Sequence, residues 1–330
     1  MTEQNSRTIL VAGGAGFIGS HLCRTLLEAD ATVICLDNLQ TSRRTNLIDL
    51  EGFARFTFVE GDITEALPAA VTGQRYTHIY NLACAASPPL YQADPEHTMM
   101  TNVVGSNQLL RLAERDGARF LLTSTSEVYG EPEMHPQPED YRGNVNCTGP
   151  RACYDEGKRA AEALTFDYAR MGRAEVRVAR IFNTYGPQMR MDDGRVVSNL
   201  LCQSLTGEAL TIYGNGAQTR SFCYVADTVD ALVRLMESDA TVPVNIGNQL
   251  EITILELVEA VAGIIGRPLD ITFKDLPVDD PQRRRPDISR ARALLGWEPT
   301  TPLTAGLERT LGWFAGEIEA TQPAPAQRVA

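Results

Sequence analysis

A tyrosine and a lysine four residues apart, Tyr154 and Lys158, are the residues of this sequence that most directly indicate chemistry. On a helix this spacing places both side chains on one face. A phenol has a pKa of about 10 and is a poor base at neutral pH, but an ammonium one turn away stabilises the phenolate and lowers that pKa. The pair is therefore typical of a general base that takes a proton from an alcohol. By itself the pattern is equally typical of a surface tyrosine on an amphipathic helix.

A glycine-rich segment near the start of the chain indicates a dinucleotide site. An apolar run leads directly into three glycines and a helical pattern: Gly13, Gly16 and Gly19. Such glycines let the backbone approach a pyrophosphate, which the N–H groups and dipole of the helix N-terminus then bind. Asp37 follows eighteen residues later, where a carboxylate accepts both ribose hydroxyls and repels a 2′-phosphate. We therefore expect NAD as the cofactor, although Arg43 and Arg44 leave NADP open.

Two strand ends carry further polar residues. Thr125 and Glu127 follow a strand predicted over residues 119–124, and in a doubly wound sheet such a strand ends at the ligand crevice. The Thr125 hydroxyl is placed to hold a substrate hydroxyl against Tyr154, while Glu127 is either part of that site or a solvated acid. Asp62 either hydrogen-bonds an adenine amino group or caps a helix that begins at Ile63.

The predicted elements that position these residues alternate between strand and helix. Strands are expected over residues 8–12, 32–37, 56–60, 78–81, 119–124 and 175–181, and helices over 17–28, 95–115 and 154–170. This order predicts an α/β fold, a doubly wound parallel Rossmann sheet with a smaller C-terminal substrate-binding lobe. Residues 131–151 are expected to form a long loop.

The lobe is expected to be built from inserted segments. Helices are predicted over residues 196–206, 225–237, 254–265 and 303–318, and strands over 210–212 and 244–246. We assign residues 1–184 and 225–247 to the NAD-binding domain, 185–224 and 248–318 to the lobe, and 319–330 to a flexible tail.

The composition argues against several classes of protein. The 330 residues include 30 Lys and Arg against 42 Asp and Glu, and the resulting net charge of −12 disfavours a broad nucleic-acid-binding face. No run approaches the roughly 18 apolar residues of a membrane helix, and the first residues have no apolar signal core. The seven cysteines form no C-x-x-C pair, so we predict reduced thiols in a cytoplasmic protein without a metal site; a catalytic cysteine is the less favoured alternative.

Longer strings place these residues in a known family. The glycine pattern, Asp37, Thr125 and the Tyr154–Lys158 pair are similar to those of the extended short-chain dehydrogenase/reductases that modify nucleotide sugars, from about Thr8 to Phe314. Within that family the chain resembles the UDP-glucuronate decarboxylase group. The strings that carry this likeness are ASPPLY (86–91), STSEVYG (124–130), GPRACYDEGKR (149–159), ARIFNT (179–184) and DGRVVSN (193–199).

The resemblance implies three sets of site residues. The expected catalytic residues are Thr125, Ser126, Glu127, Tyr154, Lys158 and Arg284. The expected NAD-binding residues are Gly13, Gly16, Phe17, Ile18, Gly19, Asp37, Asn38, Thr41, Arg43, Asp62, Ile63, Leu82, Ala83, Cys84, Thr101, Tyr154, Lys158, Thr184 and Arg190. The expected residues for the UDP-sugar are Pro88, Tyr91, Glu127, Asn183, Arg195, Asn199, Tyr213, Gln218, Arg220 and Arg284.

The resemblance also implies a reaction, the NAD-dependent conversion of UDP-glucuronate to UDP-xylose. Oxidation at C4 makes the sugar a β-keto acid, whose carboxylate on C5 is then readily lost. The 4,6-dehydratases of the family carry an Asp where this chain has Ser126, and a serine cannot replace it as an acid. A decarboxylase that stops at the 4-keto pentose, a 4-epimerase, a 4,6-dehydratase and a non-catalytic NAD-binding regulator are the alternatives.

Two further expectations come from the same likeness. A homodimer is expected to form through the helices over residues 95–115 and 154–170. The family usually has a lysine where this chain has Met100, and an altered substrate is expected if that lysine contacts the sugar.

Overall fold

The computed structural model describes residues 7–276 and 283–321. Within these ranges the chain forms fourteen strands: β1 (Thr8–Ala12), β2 (Thr32–Asp37), β3 (Phe56–Glu60), β4 (His78–Asn81), β5 (Arg119–Thr125), β6 (Val176–Ile181), β7 (Thr184–Tyr185), β8 (Leu210–Tyr213), β9 (Thr219–Ser221), β10 (Cys223–Tyr224), β11 (Val244–Ile246), β12 (Glu251–Thr253), β13 (Ile271–Lys274) and β14 (Arg283–Arg284). The same ranges hold eleven α-helices: α1 (Phe17–Glu28), α2 (Ala69–Thr72), α3 (Pro88–Ala93), α4 (Pro95–Met100), α5 (Ser106–Asp116), α6 (Ala152–Arg170), α7 (Val196–Thr206), α8 (Val225–Glu237), α9 (Ile254–Ile265), α10 (Ser289–Leu295) and α11 (Leu303–Thr321).

Seven strands form the central sheet that the sequence predicts. Their order is β11-β6-β5-β4-β1-β2-β3, and every neighbouring pair is parallel. The inner strands are nearly continuous apolar runs because helices cover both faces, and β1 is buried from Ile9 onward. The strand order reverses between β1 and β4, which opens a crevice at the carboxyl ends of these strands.

The segment predicted as one helix over residues 95–115 contains a local irregularity. It consists of α4, a π-helical turn over Thr101–Gly105, and α5. Gly105 packs so closely on Ile63 that an added Cβ would lie 2.4 Å from its Cδ1. The hydrophobic spacing predicted a helix correctly, but it does not distinguish a π turn from α-helix.

The remaining strands build the lobe and its junction with the sheet. Strands β13 and β8 pair in parallel, and a three-stranded sheet has the order β12-β9-β14. In that sheet Arg284 on β14 lies opposite Arg220 on β9. β11 joins the central sheet beside β6.

Several elements differ from those predicted. The short helices α2, α3 and α10 and the strands of two or three residues in the lobe were not predicted. Helix α11 continues to Thr321, so residues 319–321 are helical and not part of a tail; the rest of the predicted tail lies outside the described residues. In the described ranges, no helix combines the length and the apolar character that crossing a membrane requires.

Candidate active site

A cavity of about 650 Å³ lies at the carboxyl ends of the central strands. The glycine-rich loop, the segment after β4, the end of β5, the start of α6 and the lobe all contribute to its walls. Every residue that the resemblance implies for catalysis or for the UDP-sugar lines it: Pro88, Tyr91, Thr125, Ser126, Glu127, Tyr154, Lys158, Asn183, Arg195, Asn199, Tyr213, Gln218, Arg220 and Arg284.

The glycine-rich loop fits a dinucleotide. Gly13 has φ +76°, and a Cβ there would lie 2.7 Å from the backbone N of Ala83. A Cβ on Gly19 would lie 2.1 Å from the carbonyl oxygen of Gly13. Helix α1 has Gly16 as its N-cap, which offers no side-chain cap, so the first-turn N–H groups face the cavity with no competing side chain. The close packing and the open helix end suit a pyrophosphate.

Asp37 at the end of β2 is tied to this loop. Its carboxylate accepts hydrogen bonds from the backbone N of Ala15 at 2.9 Å and from the Ser42 hydroxyl at 2.7 Å. The two arginines that left NADP open both contact carboxylates. Arg43 lies 3.3 Å from Glu317, and Arg44 lies 3.2 Å from the carboxylate of Glu51. These pairs favour NAD over its 2′-phosphorylated form.

Asp62 does not cap a helix, so that alternative is wrong. Its carboxylate holds a turn by accepting from the backbone N and hydroxyl of Thr64, each at 2.7 Å. The side chains of Asn38 and His97 also contact it at 2.7 Å. Burial alone raises the pKa of Asp62, but the hydrogen bonds from Thr64, Asn38 and His97 outweigh it and bring the pKa to about 2. A contact between this carboxylate and adenine stays a prediction, and His97 is a neighbour that the sequence did not indicate.

The predicted NAD-binding residues fall into two groups. Those that line the cavity are Gly13, Gly16, Phe17, Ile18, Gly19, Thr41, Leu82, Cys84, Tyr154, Lys158, Thr184 and Arg190. Those that the described lining does not include are Asp37, Asn38, Arg43, Asp62, Ile63, Ala83 and Thr101. Ile63 belongs to the hydrophobic core, and the Thr101 hydroxyl donates to the carbonyl oxygen of His97 at 2.8 Å.

Tyr154 and Lys158 share one face of α6, as their spacing predicts. The Lys158 ammonium donates to the carbonyl oxygen of Thr123 at 2.9 Å and lies 5.9 Å from the centre of the Tyr154 ring. That ring stacks on Tyr91 with a centroid distance of 4.9 Å, and the Tyr154 phenol hydrogen-bonds the side chain of Thr125.

Lys158 by itself does not lower the pKa of the phenol. Burial raises the pKa of Tyr154, and burial also lowers the pKa of Lys158. The spacing of the pair does not report how deeply it is buried, and a lowering by the lysine together with the positive ring of NAD stays a prediction. The phenol is therefore protonated at neutral pH until further positive charge lies beside it.

Glu127 is buried and bound by two arginines, so it is not a solvated acid. Its Oε2 accepts from Arg151 at 2.6 Å and from Arg284 at 2.7 Å, and its Oε1 lies 2.6 Å from a second nitrogen of Arg284. Glu127 is 9% exposed and Arg284 is 7% exposed, so both residues are buried. Arg151 stands in a string that carried the resemblance, but no role was predicted for it.

The lobe brings more cationic groups to the same cavity. Arg195 is held by the carboxylate of Asp193, a residue that was not predicted. Burial lowers the pKa of Arg195, but the charge of Asp193 more than compensates and raises it. Arg220 lies beside Arg284 across two paired strands. Planar guanidinium groups in such positions suit a diphosphate and a carboxylate.

Met100 is not among the described residues that line this cavity, and it is 40% exposed. An altered substrate caused by the loss of the usual lysine stays a prediction.

The cysteines and possible metal ligands add no further centre. The seven cysteines are free thiols, of which Cys147 is exposed and Cys23, Cys35 and Cys223 are buried. Among the described residues, no group of three or more His, Cys, Asp or Glu side chains is arranged to hold a metal ion.

The sequence is similar to those of proteins in one NAD-dependent family. Residues 9–247 match the NAD dependent epimerase/dehydratase family. UDP-glucuronic acid decarboxylase 5 of Arabidopsis thaliana is 54% identical over 92% of this chain and 88% of its own length. UDP-glucuronic acid decarboxylase 1 of Danio rerio is 50% identical over 97% of this chain and 75% of its own length.

Two solved structures of epimerases have a fold similar to that of this chain. UDP-glucuronic acid 4-epimerase from Bacillus cereus, in complex with UDP-glucuronic acid and NAD, superposes with a TM-score of 0.86 at 29% identity. UDP-glucose 4-epimerase from Thermotoga maritima, with UDP-glucose, has the same TM-score and identity. In both comparisons 94% of this chain and 99% of the solved chain are covered.

Proposed function

Because the chain belongs to the NAD dependent epimerase/dehydratase family, we propose that it catalyses the NAD-dependent decarboxylation of UDP-glucuronate to UDP-xylose. The observation that carries this proposal is the cluster of Glu127, Arg151 and Arg284 beside Tyr154. It brings two guanidinium groups next to the base that acts at C4, where an acidic sugar needs them. The two decarboxylases compared above support the same reaction.

The glycine-rich loop and Asp37 hold the cofactor in this proposal. NAD held there would accept a hydride from C4 of the sugar and give it back at the end of the reaction, and its positively charged ring would favour the phenolate of Tyr154.

Tyr154 takes the proton from the sugar O4 while the Thr125 hydroxyl orients that oxygen. Lys158 is anchored on the carbonyl oxygen of Thr123, which keeps its ammonium one turn from the phenol. The C4 ketone makes the sugar a β-keto acid, so its C5–C6 bond breaks with the electrons entering an enolate. Arg284 stabilises the negative charge that forms, and a proton is then restored at C5.

Ser126 separates this reaction from a 4,6-dehydration. A dehydratase needs an acid to protonate the departing C6 hydroxyl, and the pKa of a serine hydroxyl is far too high for that role. Loss of carbon dioxide requires no such acid.

Product identification tests the proposal. Purified protein is incubated with UDP-glucuronate and NAD, and the nucleotide sugars are identified by NMR while carbon dioxide is measured. UDP-xylose and carbon dioxide without accumulated NADH are expected. A 4-keto pentose with accumulated NADH supports the decarboxylase that stops early, and the absence of all turnover supports the NAD-binding regulator.

A 4-epimerase is the second candidate, because the structure of an enzyme of that activity, with UDP-glucuronic acid bound, superposes closely on this chain. The same incubation separates the two activities. Recovery of UDP-galacturonate as the single product contradicts decarboxylation.

We also propose a cytoplasmic homodimer. Met100 and Val104 are exposed apolar residues one turn apart in the helical segment predicted to form the interface. Seven free thiols are typical of a reducing compartment. Light scattering coupled to gel filtration is expected to give twice the chain mass, and Val104→Glu is expected to shift it toward the monomer. A wild-type monomer contradicts the proposal.

A further inference from the structure

A buried carboxylate beside the Glu127 cluster takes no part in the reaction proposed above. Asp155 lies four residues after Arg151, with its Oδ2 3.9 Å from Nε of that arginine. Asp155 is 7% exposed, and its Oδ1 is buried without a hydrogen-bond partner. It lies behind the described cavity lining, which includes Arg151 and Glu127 but not Asp155. Burying an ionised carboxylate with an unpaired oxygen is costly, so the charge of this residue depends on its neighbours.

The elements packed around Asp155 all contribute charged or titratable groups. These groups are Glu127 after β5, Arg151 and Glu156 beside Asp155 itself, Arg284 on β14, Tyr91 on α3 and Tyr154 on α6. Burial, followed by the charge of Glu127, raises the pKa of Asp155 to about 7, while Arg151 and Arg284 oppose the increase. Asp155 therefore changes charge within the physiological range of pH.

The charge of the cluster follows from this titration. Glu127 contributes one negative charge and Arg151 and Arg284 contribute two positive charges, which leaves one net positive charge when Asp155 is neutral. Ionised Asp155 brings the sum to zero. A sugar carboxylate entering the cavity meets an attractive cluster in the first state and a neutral one in the second.

Building on the proposed function, we infer that Asp155 is a positioning residue that sets the charge of the Glu127–Arg151–Arg284 cluster and thereby the affinity for a carboxylated sugar. The affinity for UDP-glucuronate is then highest below the pKa of Asp155 and falls as the pH rises through it. By linkage, binding of UDP-glucuronate near that pH takes up a proton. UDP-xylose has no carboxylate, so its affinity is expected not to depend on the charge of Asp155.

Calorimetric titrations of the NADH-loaded protein, which cannot oxidise the sugar at C4 and so does not turn over, test this role. Dissociation constants for UDP-glucuronate and UDP-xylose are measured from pH 6 to 8.5, and their ratio cancels effects on the shared UDP moiety. In the wild type the preference for UDP-glucuronate is expected to fall about tenfold over this range, the equivalent of a shift of about one pKa unit. In Asp155→Asn the preference is expected to stay constant at its low-pH level.

Two further measurements make the test specific. Glu156→Gln removes the adjacent carboxylate, which pairs with Arg159. It is expected to keep the size of the pH-dependent fall and to move its midpoint slightly toward lower pH, because the charge of Glu156 is the smallest of the effects that act on the pKa of Asp155. Titrations of the NADH-loaded wild type near pH 7, in buffers of different ionisation enthalpy, are expected to show proton uptake with UDP-glucuronate and none with UDP-xylose.

An unchanged pH slope in Asp155→Asn, or equal proton uptake for both ligands, overturns the inference. If Asp155→Asn does not fold, the wild-type proton uptake decides alone. Failure of the proposed function is distinguishable, because it appears as the absence of UDP-xylose and carbon dioxide from wild-type incubations, whatever the pH dependence of binding.

Discussion

Removal of one oxygen atom from Tyr154 is the most direct test of the catalytic arrangement. Tyr154→Phe deletes the proposed base and its hydrogen bond with Thr125 but keeps the aromatic ring. The ring still stacks on Tyr91 at a centroid distance of 4.9 Å, so the cavity wall is retained. We expect a folded protein that binds NAD and UDP-glucuronate and turns over very slowly.

The magnitude follows from the two roles of the hydroxyl. Loss of a general base reduces kcat about 10²- to 10⁴-fold, which corresponds to about 3–5 kcal/mol in activation free energy. Loss of one buried hydrogen bond costs about 1 kcal/mol in the free energy of unfolding. The expected change in activation free energy therefore exceeds the expected change in the free energy of unfolding by about 2 kcal/mol or more.

The assay measures release of carbon dioxide from the carboxyl-labelled substrate, with NAD affinity and thermal unfolding measured on the same samples. Tyr129→Phe is the matched control. Its hydroxyl is buried and bonded to Asn245 at 2.7 Å and Arg180 at 3.0 Å, but Tyr129 lies outside the described cavity lining. This control is expected to lose stability and keep most of its turnover. Wild-type kcat in Tyr154→Phe would remove Tyr154 from the mechanism.

Three other substitutions test separate parts of the site. Asp37→Ala removes the carboxylate next to the glycine loop and is expected to weaken NAD binding about tenfold to 100-fold in calorimetry, the loss expected for hydrogen bonds to a charged group; unchanged affinity contradicts the assignment. Gly19→Ala places a Cβ 2.1 Å from the carbonyl oxygen of Gly13 and is expected to lower both the melting temperature and NAD affinity. Gly263→Ala in α9, where the added Cβ meets no atom within 4 Å, is the control and is expected to leave NAD affinity unchanged. Glu127→Gln removes the carboxylate charge that both Arg151 and Arg284 contact and is expected to reduce kcat at least about tenfold in the carbon dioxide assay; retained kcat would show that the charge of Glu127 is dispensable.

The central sheet was predictable because its signals are local. Strands β1 to β4 begin and end at the predicted residues, since apolar β-branched runs separated by helices and glycines mark them without reference to distant parts of the chain. Apart from β8, which was predicted over residues 210–212, the strands described in the lobe carry no such signal. β14 has two residues, and its pairing with β9 joins segments more than sixty positions apart. Tertiary contacts define a strand of this length.

In the site, too, residues with a local sequence signal were predicted, and residues brought together by the fold were not. The Tyr154–Lys158 pair and the glycine loop were predicted from their characteristic spacings. The other predicted residues that line the cavity came from the family resemblance. The role of Arg151 was not predicted because its partner, Glu127, is 24 positions away in the sequence, and only the fold brings the two side chains into contact. The effect of burial, which raises the pKa of the phenol, could not be predicted because burial is a property of the folded chain.

The way in which Glu127 binds Arg284 has a consequence for the decarboxylation step. Both terminal nitrogens of Arg284 contact Glu127, so this end of the guanidinium is already filled and cannot also bind the sugar carboxylate with two parallel hydrogen bonds. A tightly paired carboxylate would be stabilised in the ground state, where its charge is greatest, and would resist conversion to neutral carbon dioxide. A guanidinium shared with Glu127 attracts the acid into the cavity by net charge while leaving its oxygens weakly held. The arrangement thus favours the enolate, on which the negative charge grows, over the carboxylate that loses it.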